Sequence, residues 1–197
     1  MYKKEELRKI IEGYRRAMAK DDVVMKSIAI IHKILNLKEY QKADCIYCYV
    51  DFHNEVKTKP LIHQAFLDGK RVAAPKVLKD GMEFYYIKGY EDLQPGYSGI
   101  YEPVNCPIAM ETNALILMPG VAFDKRNHRI GFGKGFYDRY LQRENNHYKI
   151  ALAYDFQVFD KIPQDSYDIC PDLVVTESKI YRKENETDTI INEREVL

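Results

Sequence analysis

The sequence has no excess of charge of either sign and no long apolar run. Its 197 residues carry 30 basic and 30 acidic side chains. Proteins that bind nucleic acid non-specifically need a basic face, so this balance gives no support for that class. No apolar stretch is long enough to span a membrane. The N-terminal residues are charged throughout, unlike a secretory signal peptide, so we expect a cytoplasmic protein with no membrane partner.

The sequence also lacks a complete set of metal-binding cysteines and histidines. Its four cysteines include one C-x-x-C pair, Cys45 and Cys48, but no second pair and no H-x-x-x-H follow to complete a tetrahedral zinc site. The surrounding residues, 43–50, are typical of a strand. Residues three apart in a strand point to opposite faces, so the pattern favours buried free thiols over a metal or redox pair.

The most informative stretch begins with a strand. Residues 114–118 are apolar and uncharged, and Pro119 and Gly120 follow them. Such a run with a turn after it predicts a strand buried on both faces of a sheet. Residues 123–129, which include three basic side chains and a histidine, are expected to form a polar loop.

A glycine-rich loop, residues 131–135, comes next, and apolar residues at helical spacing begin at Phe136. A strand, a glycine loop and a helix start in this order form an anion cradle, because glycine brings backbone N–H groups close to phosphate oxygens. Lys134 would add a mobile cation, and Asp138 a hard oxygen ligand for Mg2+. The loop matches neither the Walker nor the dinucleotide pattern, and an ordinary glycine-rich turn with an exposed lysine is the alternative.

Other polar residues have both an ordinary and a functional interpretation. Lys4 and Arg8 lie four apart and share a helix face, which is typical of a solvated basic stripe. Glu55 follows the first predicted strand, at the end where parallel sheets bind ligands, but it fits a solvated or capping acid as well. Asp172 stands at the start of a predicted strand, 172–176, where an acid often caps.

The central stretch, P-G-V-A-F-D and then R-I-G-F-G-K-G-F-Y-D-R-Y-L, resembles the 5-formyltetrahydrofolate cyclo-ligase family, also called methenyltetrahydrofolate synthetase. The likeness extends over most of the chain, from Lys4 to about residue 177. One departure is Asn127, which stands where the family usually has glycine. Asparagine is the non-glycine residue that best tolerates positive φ, so the turn can be kept.

The resemblance implies conversion of 5-formyltetrahydrofolate to 5,10-methenyltetrahydrofolate, with ATP as co-substrate, Mg2+ as cofactor, and ADP and phosphate as products. It implies that Lys134 and Arg8 are catalytic and that Asp138 and Asp172 hold the metal. The implied ATP-binding residues are Lys4, Arg8, Arg129, Gly131, Phe132, Gly133, Lys134, Gly135, Phe136, Tyr137, Asp138 and Arg139. The implied folate-binding residues are Arg8, Val50, Glu55, Phe136 and Tyr137.

Two other functions stay open at this point. A phosphate-sugar isomerase or coenzyme A transferase would bind phosphate at the glycine loop without ATP, but it needs an acid/base pair, for which Glu55 is the one candidate. A nucleotide sensor without turnover would keep the cradle, although Lys134, Asp138 and Asp172 together exceed what binding alone needs.

Predicted strands alternate with predicted helices, which indicates a three-layer αβα fold with a mostly parallel sheet. The resemblance implies the same fold, related to the sugar-phosphate isomerase and coenzyme A transferase group. We expect a single domain over residues 1–183, a charged tail over 184–197, and a monomer. Residues 93–103 are expected to be a loop with little regular structure, and residues 172–176 to be the last strand.

Overall fold

A computed structural model of the protein describes residues 2–183, so the tail expected at 184–197 lies outside the described residues. The helices are α1 (Lys4–Ala17), α2 (Lys20–Leu35), α3 (Lys38–Lys42), α4 (Lys59–Leu67) and α5 (Phe136–Arg143). The strands are β1 (Cys45–Cys48), β2 (Arg71–Leu78), β3 (Gly81–Ile87), β4 (Leu93–Pro95), β5 (Tyr101–Pro103), β6 (Leu115–Met118), β7 (Ala122–Asp124), β8 (Arg129–Ile130), β9 (Tyr148–Leu152), β10 (Val158–Phe159), β11 (Leu173–Val175) and β12 (Ile180–Arg182).

Seven of these strands form the central sheet, in the order β12-β11-β9-β6-β1-β2-β3. The five inner strands run parallel, and β3 and β12 pair antiparallel at the two edges. The apolar runs of β1 and β6 are buried along their whole length, as expected for inner strands of a sheet covered on both faces. The prediction of a mostly parallel α/β sheet is therefore confirmed.

Helices cover both faces of this sheet. On one face, α2, α3 and α4 pack against alternate strand residues such as Ile46, Cys48 and Leu117. On the other face, Tyr140 and Leu141 of α5 pack against the intervening positions. Cys45 and Cys48 lie in these two different cores and are both free, as the strand spacing predicted.

The stretch between β6 and the glycine loop differs from the expected polar loop. Residues 122–130 form a tight hairpin, β7 and β8, whose Phe123 is fully buried. Helix α1 packs on this hairpin through Leu7 and Ile11. The prediction of a polar loop is wrong because charged residues dominate the sequence of this segment. Its few apolar residues nevertheless pack against the apolar face of α1.

Two further predictions are wrong: that residues 93–103 have little regular structure, and that residues 172–176 form the last strand. Residues 93–103 contain the two-stranded pair β4 and β5, and β11 is followed by one more strand, β12. Each of these three strands, β4, β5 and β12, is three residues long, which is too short for alternation to be recognised.

Asn127 adopts the left-handed conformation at the β7–β8 turn, with φ of +63°, as expected of a residue in place of glycine. It also does something that glycine cannot do. Its side-chain amide donates to the carbonyl oxygens of Asp172 (3.1 Å) and Tyr181 (3.3 Å), which ties the hairpin to β11 and β12.

Candidate functional site

A cleft of about 500 Å³ opens beside the carboxyl ends of β1 and β6. This is the edge at which parallel α/β sheets bind ligands, because the loops that leave neighbouring strands meet there. Five segments contribute to the cleft: helix α1, the loop after β1, the turn between β4 and β5, the residues after β6 and the glycine loop. Its lining includes Arg8, Arg15, Asn54, Glu55, Val121 and Phe132.

The glycine loop takes a backbone path that other residues rarely follow. Gly133 has φ of +98° and Gly135 has φ of +64°. A Cβ atom on Gly133 would also lie 3.3 Å from Cζ of Arg8, so a side chain there is opposed both by the backbone angle and by space. Gly135 is the cap residue before α5, which places the loop at the N-terminus of a helix. The geometry suits a ligand that carries negative charge.

Arg8 and Lys134 bring positive charge to this loop in different ways. The Nε of Arg8 donates to the carbonyl oxygen of Gly131 at 2.9 Å, across 123 residues of sequence. Lys134 is exposed, and its side chain forms no hydrogen bond or ion pair with any residue from 2 to 183. One cation is therefore positioned by the protein, and the other is free to follow a ligand.

Lys4 lies one turn before Arg8 in α1 but pairs with a different segment. Its ammonium group binds the carboxylates of Asp165 (2.7 Å) and Asp168. Burial lowers the pKa of Lys4, but the hydrogen bonds to these two acids outweigh it and leave the pKa raised. The side chain stays protonated and joins α1 to residues 165–168 beside the cleft.

Arg129 and Asp138, both predicted to bind ATP, bind each other. The Nη2 of Arg129 donates to Oδ1 of Asp138 at 2.6 Å, and the backbone N–H of Ile169 donates to the same oxygen at 3.0 Å. Arg129 is buried and also contacts the carbonyl oxygens of Pro119 and Ile169, each at 3.4 Å. The pair holds the first turn of α5 against the loop that follows β6.

Asp172 is bound in a separate place. Its Oδ2 accepts the backbone N–H of Lys149 at 2.7 Å and lies 3.0 Å from the ammonium group of the same residue. Asp138 and Asp172 therefore have different partners, and among residues 2–183 no hydrogen bond or shared residue joins their carboxylates. Between residues 2 and 183, no group of three or more His, Cys, Asp and Glu side chains is arranged to hold a metal ion.

Glu55 is almost completely buried, with 6% of its surface exposed, in the wall of the cleft formed by the loop after β1. Its Oε2 accepts the backbone N–H of Phe52 at 2.9 Å, whereas its Oε1 has no hydrogen-bond partner among the described residues. The nearest cation is Arg15, whose Nη1 lies 3.7 Å from Oε1. Burial raises the pKa of Glu55, and Arg15 opposes that rise.

The aromatic and apolar residues predicted at the site have diverse surroundings. Phe132 is 57% exposed at the tip of the glycine loop, and Phe136 contacts Tyr97 edge to face at 5.7 Å. The hydroxyl of Tyr137 is buried without a partner among residues 2–183, and burial raises its pKa.

The last two predicted site residues lie apart from these rings. Arg139 donates to the carbonyl of Lys134 at 2.8 Å. Val50 lines a second cavity, of about 570 Å³, between α2 and the loop after β1.

Sequence reasoning missed Arg15 and Asn54. Arg15 is buried, its Nη2 donates to the carbonyl of Gly120 at 2.7 Å, and its own carbonyl accepts the side-chain amide of Asn54 at 2.7 Å. A signal for Arg15 was present, because it lies seven residues after Arg8, two helical turns along the same face. No comparable signal marked Asn54.

The fold and the site together define an α/β domain with a glycine loop, suited to a negatively charged ligand, at the carboxyl edge of a parallel sheet. Comparison with known proteins makes this more specific. The model of the 5-formyltetrahydrofolate cyclo-ligase family matches residues 1–177. A probable 5-formyltetrahydrofolate cyclo-ligase of Schizosaccharomyces pombe is 33% identical, over 91% of this chain and 98% of its own. The 5-formyltetrahydrofolate cyclo-ligase of Escherichia coli is 29% identical, over 87% of this chain and 99% of its own.

Solved structures agree with these relatives. The structure of Aquifex aeolicus 5,10-methenyltetrahydrofolate synthetase superposes with a TM-score of 0.83 at 34% identity, over 92% of this chain and 93% of the other. A 5,10-methenyltetrahydrofolate synthetase from Mycoplasma pneumoniae superposes with a TM-score of 0.71 at 27% identity, over 89% of this chain and 99% of the other.

The chain therefore belongs to the 5-formyltetrahydrofolate cyclo-ligase family. Its relatives and structural neighbours support an enzyme with cyclo-ligase, or methenyltetrahydrofolate synthetase, activity. None of the helices between residues 2 and 183 is both long enough and apolar enough to cross a lipid bilayer.

Proposed function

We propose that this enzyme uses ATP to convert 5-formyltetrahydrofolate to 5,10-methenyltetrahydrofolate, releasing ADP and phosphate. The observation that carries the proposal is the cleft itself. A glycine loop with a positioned arginine, Arg8, forms one side, and a buried carboxylate, Glu55, lies in another wall of the same space. A polyanion and a polar heterocycle could thus meet within one cavity.

The chemistry requires a poor leaving group to be made a good one. The formyl oxygen of the substrate attacks the γ-phosphorus of ATP, and ADP leaves. The neighbouring amine nitrogen then attacks the activated formyl carbon, the ring closes, and phosphate departs while the proton of the amine passes to the phosphate or to solvent. Such phosphoryl transfer depends mainly on positioning and charge neutralisation, and it requires no nucleophilic side chain.

The ATP phosphates would bind at residues 131–135. Backbone N–H groups near the start of α5, the guanidinium group of Arg8 and the ammonium group of Lys134 would neutralise them. Lys134 is the catalytic candidate, because its side chain is exposed and unpaired with any described residue. Lys4 and Arg129, both ion-paired with acids, would act indirectly by holding α1 and α5 in place.

Magnesium would enter with ATP. Asp138 fits a metal ligand best, because it lies in the first turn of α5 beside the glycine loop and its two hydrogen bonds fall on Oδ1, leaving Oδ2 outside them. Asp172 fits less well: its contacts with Lys149 also fall on one oxygen, Oδ2, but it precedes β11, at the amino ends of the parallel strands and not at the carboxyl ends that border the cleft. Mg2+ usually binds one or two carboxylates together with phosphates and water, so one protein ligand is sufficient. The ion would supply charge neutralisation on the phosphates.

The folate would occupy the part of the cleft next to Glu55. The carboxylate of Glu55 would accept hydrogen bonds from the polar edge of the pteridine ring. The exposed ring of Phe132 offers a face for stacking. Phe136 and Tyr137 are not among the residues that line this cleft, and Val50 lies in the neighbouring cavity, so their roles in folate binding stay predictions. A monomeric state and a cytoplasmic location also stay predictions.

The test is the absorbance of the methenyl product, followed with purified protein and 5-formyltetrahydrofolate. We expect product only when ATP and Mg2+ are both present, with one ADP formed per methenyl group. An isomerase or transferase would form no methenyl product, and a sensor would bind ATP without consuming it. Turnover that is independent of ATP would contradict the proposal.

A further inference from the structure

Arg15 is not part of the proposed phosphate site, yet it is buried, with 8% of its surface exposed. Its guanidinium group lies between three segments of the cleft. Nη2 donates to the carbonyl of Gly120 after β6, Nη1 lies 3.7 Å from Oε1 of Glu55 after β1, and the ring of Phe132 in the glycine loop is 5.8 Å from Cζ.

The contact between Arg15 and Glu55 is an ion pair without a hydrogen bond. A separation of 3.7 Å is too long for a hydrogen bond. The Oε1 of Glu55 and the Nε of Arg15 are both buried and have no hydrogen-bond partner within residues 2–183. Buried polar atoms without partners are costly, so an arrangement that keeps a carboxylate oxygen and a guanidinium nitrogen unsatisfied beside a cleft requires an explanation.

We propose that Arg15 is a positioning residue for folate: its guanidinium group keeps the carboxylate of Glu55 in place for the substrate and favours its charged form, and Arg15 does not itself contact ATP. This inference rests on the proposed role of Glu55. The other charges near the carboxylate cannot replace Arg15. Lys57 has its ammonium group bound by Asp51 (2.9 Å) and by the carbonyl of His53 (2.6 Å), and Asp51 adds negative charge.

The remaining titratable groups near Glu55 are the hydroxyl groups of two tyrosines. Tyr49, just after β1, and Tyr137 in α5 face it, and burial raises the pKa of each tyrosine well above its usual value. Neither carries positive charge, so Arg15 is the principal cation that opposes the burial of Glu55. Without Arg15, we expect the carboxyl group to take up a proton at a higher pH and to lose its value as an acceptor.

A double-mutant cycle separates this role from ordinary packing. Binding of 5-formyltetrahydrofolate is measured by calorimetry for the wild type, Arg15→Met, Glu55→Gln and the double variant. If Arg15 acts through Glu55, Arg15→Met weakens binding about 10-fold in the wild type and less than about 2-fold in the Glu55→Gln background. Equal losses in both backgrounds would mean that Arg15 is a structural anchor for Gly120, and the proposal would be overturned.

A second measurement needs no ligand and therefore does not depend on the proposed function. The carboxyl carbon of Glu55, identified by its absence in Glu55→Gln, is titrated by NMR in protein labelled at glutamate. Arg15→Met should move the titration midpoint of Glu55 to higher pH, and Arg15→Lys should restore most of the shift. An unchanged midpoint in Arg15→Met would also overturn the proposal.

The control is Lys9→Met, which removes one exposed cation from the same helix. It should change neither folate affinity nor the titration of Glu55. If Arg15→Met fails to fold, Arg15→Gln takes its place in the cycle, because it removes the charge but keeps an N–H group that can donate to the carbonyl of Gly120. A loss of folate affinity that is smaller in the Glu55→Gln background is then the expected result. Failure of the wild type to form methenyl product would count against the proposed function, not against the link between Arg15 and Glu55.

Discussion

The glycine loop, residues 131–135, and the segment after β1, residues 51–58, border the same cleft but are held in different ways. The loop depends on two glycines with positive φ, Gly133 and Gly135, and it carries an exposed lysine and an exposed phenylalanine. The segment after β1 is held by its side chains: Asp51 accepts the backbone N–H of Thr58 (2.9 Å), and Glu55 accepts that of Phe52.

The difference matches the two ligands that we propose for the two sides of the cleft. A phosphate chain carries its own charge and is flexible, so backbone N–H groups and a mobile cation suffice. A neutral heterocycle offers only a few hydrogen-bonding atoms, so its acceptor must be placed before it arrives. We therefore expect changes in the glycine loop to affect turnover, and changes around Glu55 to affect folate affinity.

The largest effect should come from Lys134→Ala. Loss of the mobile cation should lower kcat by roughly 10²–10³-fold, the range found when one preorganised donor to a transition state is removed. Because Lys134 is exposed, the unfolding free energy should change by no more than about 0.5 kcal/mol. Steady-state assays and thermal melts check both parts. Normal turnover in the variant would remove Lys134 from the mechanism.

Glu55→Ala should have the next largest effect. Folate affinity should fall by about 10-fold or more, the cost of losing hydrogen bonds to a charged acceptor, with a smaller change for ATP. Calorimetry with each ligand separately measures the two losses. Equal losses would mean that the two walls of the cleft are not specialised.

Gly133→Ala tests whether the loop depends on its backbone. The variant should lose about 1–3 kcal/mol of stability and bind ATP more weakly, because φ is +98° and the new Cβ would meet Arg8. Gly13→Ala is the matched control: Gly13 lies within α1, and a Cβ there meets nothing within 4 Å. That change should stabilise the protein by up to about 1 kcal/mol. Similar results for both variants would show that the loop geometry is not required.

The smallest effect concerns pH and stability. Burial raises the pKa of Glu55 above its usual value of 4.5, so the folded state binds this proton more tightly than the unfolded state does. The contribution of Glu55 to stability is therefore greatest below pH 4.5 and falls as the pH rises through the raised pKa. The unfolding free energy of Glu55→Gln relative to the wild type should increase between pH 4 and pH 7. Chemical denaturation across this range measures it, and a constant difference would contradict the raised pKa.

Much of this molecule was predictable because the signals are local. The apolar run of β6, the turn after it and the helix from Phe136 follow from neighbouring residues alone. The same holds for Asn127, whose tolerance of positive φ was expected and is observed. Its hydrogen bonds to Asp172 and Tyr181 were not predictable, since they join residues 45 and 54 positions away.

The predicted site residues show where local reasoning ends. The sequence predicted that Arg129, Asp138 and Asp172 contact ligands. It did not reveal that Arg129 binds Asp138 or that Asp172 binds Lys149. Such pairing depends on which charges the fold brings within 4 Å. Both carboxylates, although of the right type and at the right position in a motif, already have a partner within the protein.

By itself, the sequence determined the parallel sheet, the glycine loop and the family, because periodicity, turn residues and a compact motif are written in consecutive positions. The tertiary structure decided which side chains share the cleft. Arg8 meets Gly131 across 123 residues, and Arg15 meets Gly120 across 105. Contacts over such separations are set by how α1 packs on the β7–β8 hairpin, and that packing depends on apolar shape, which no short stretch of sequence encodes.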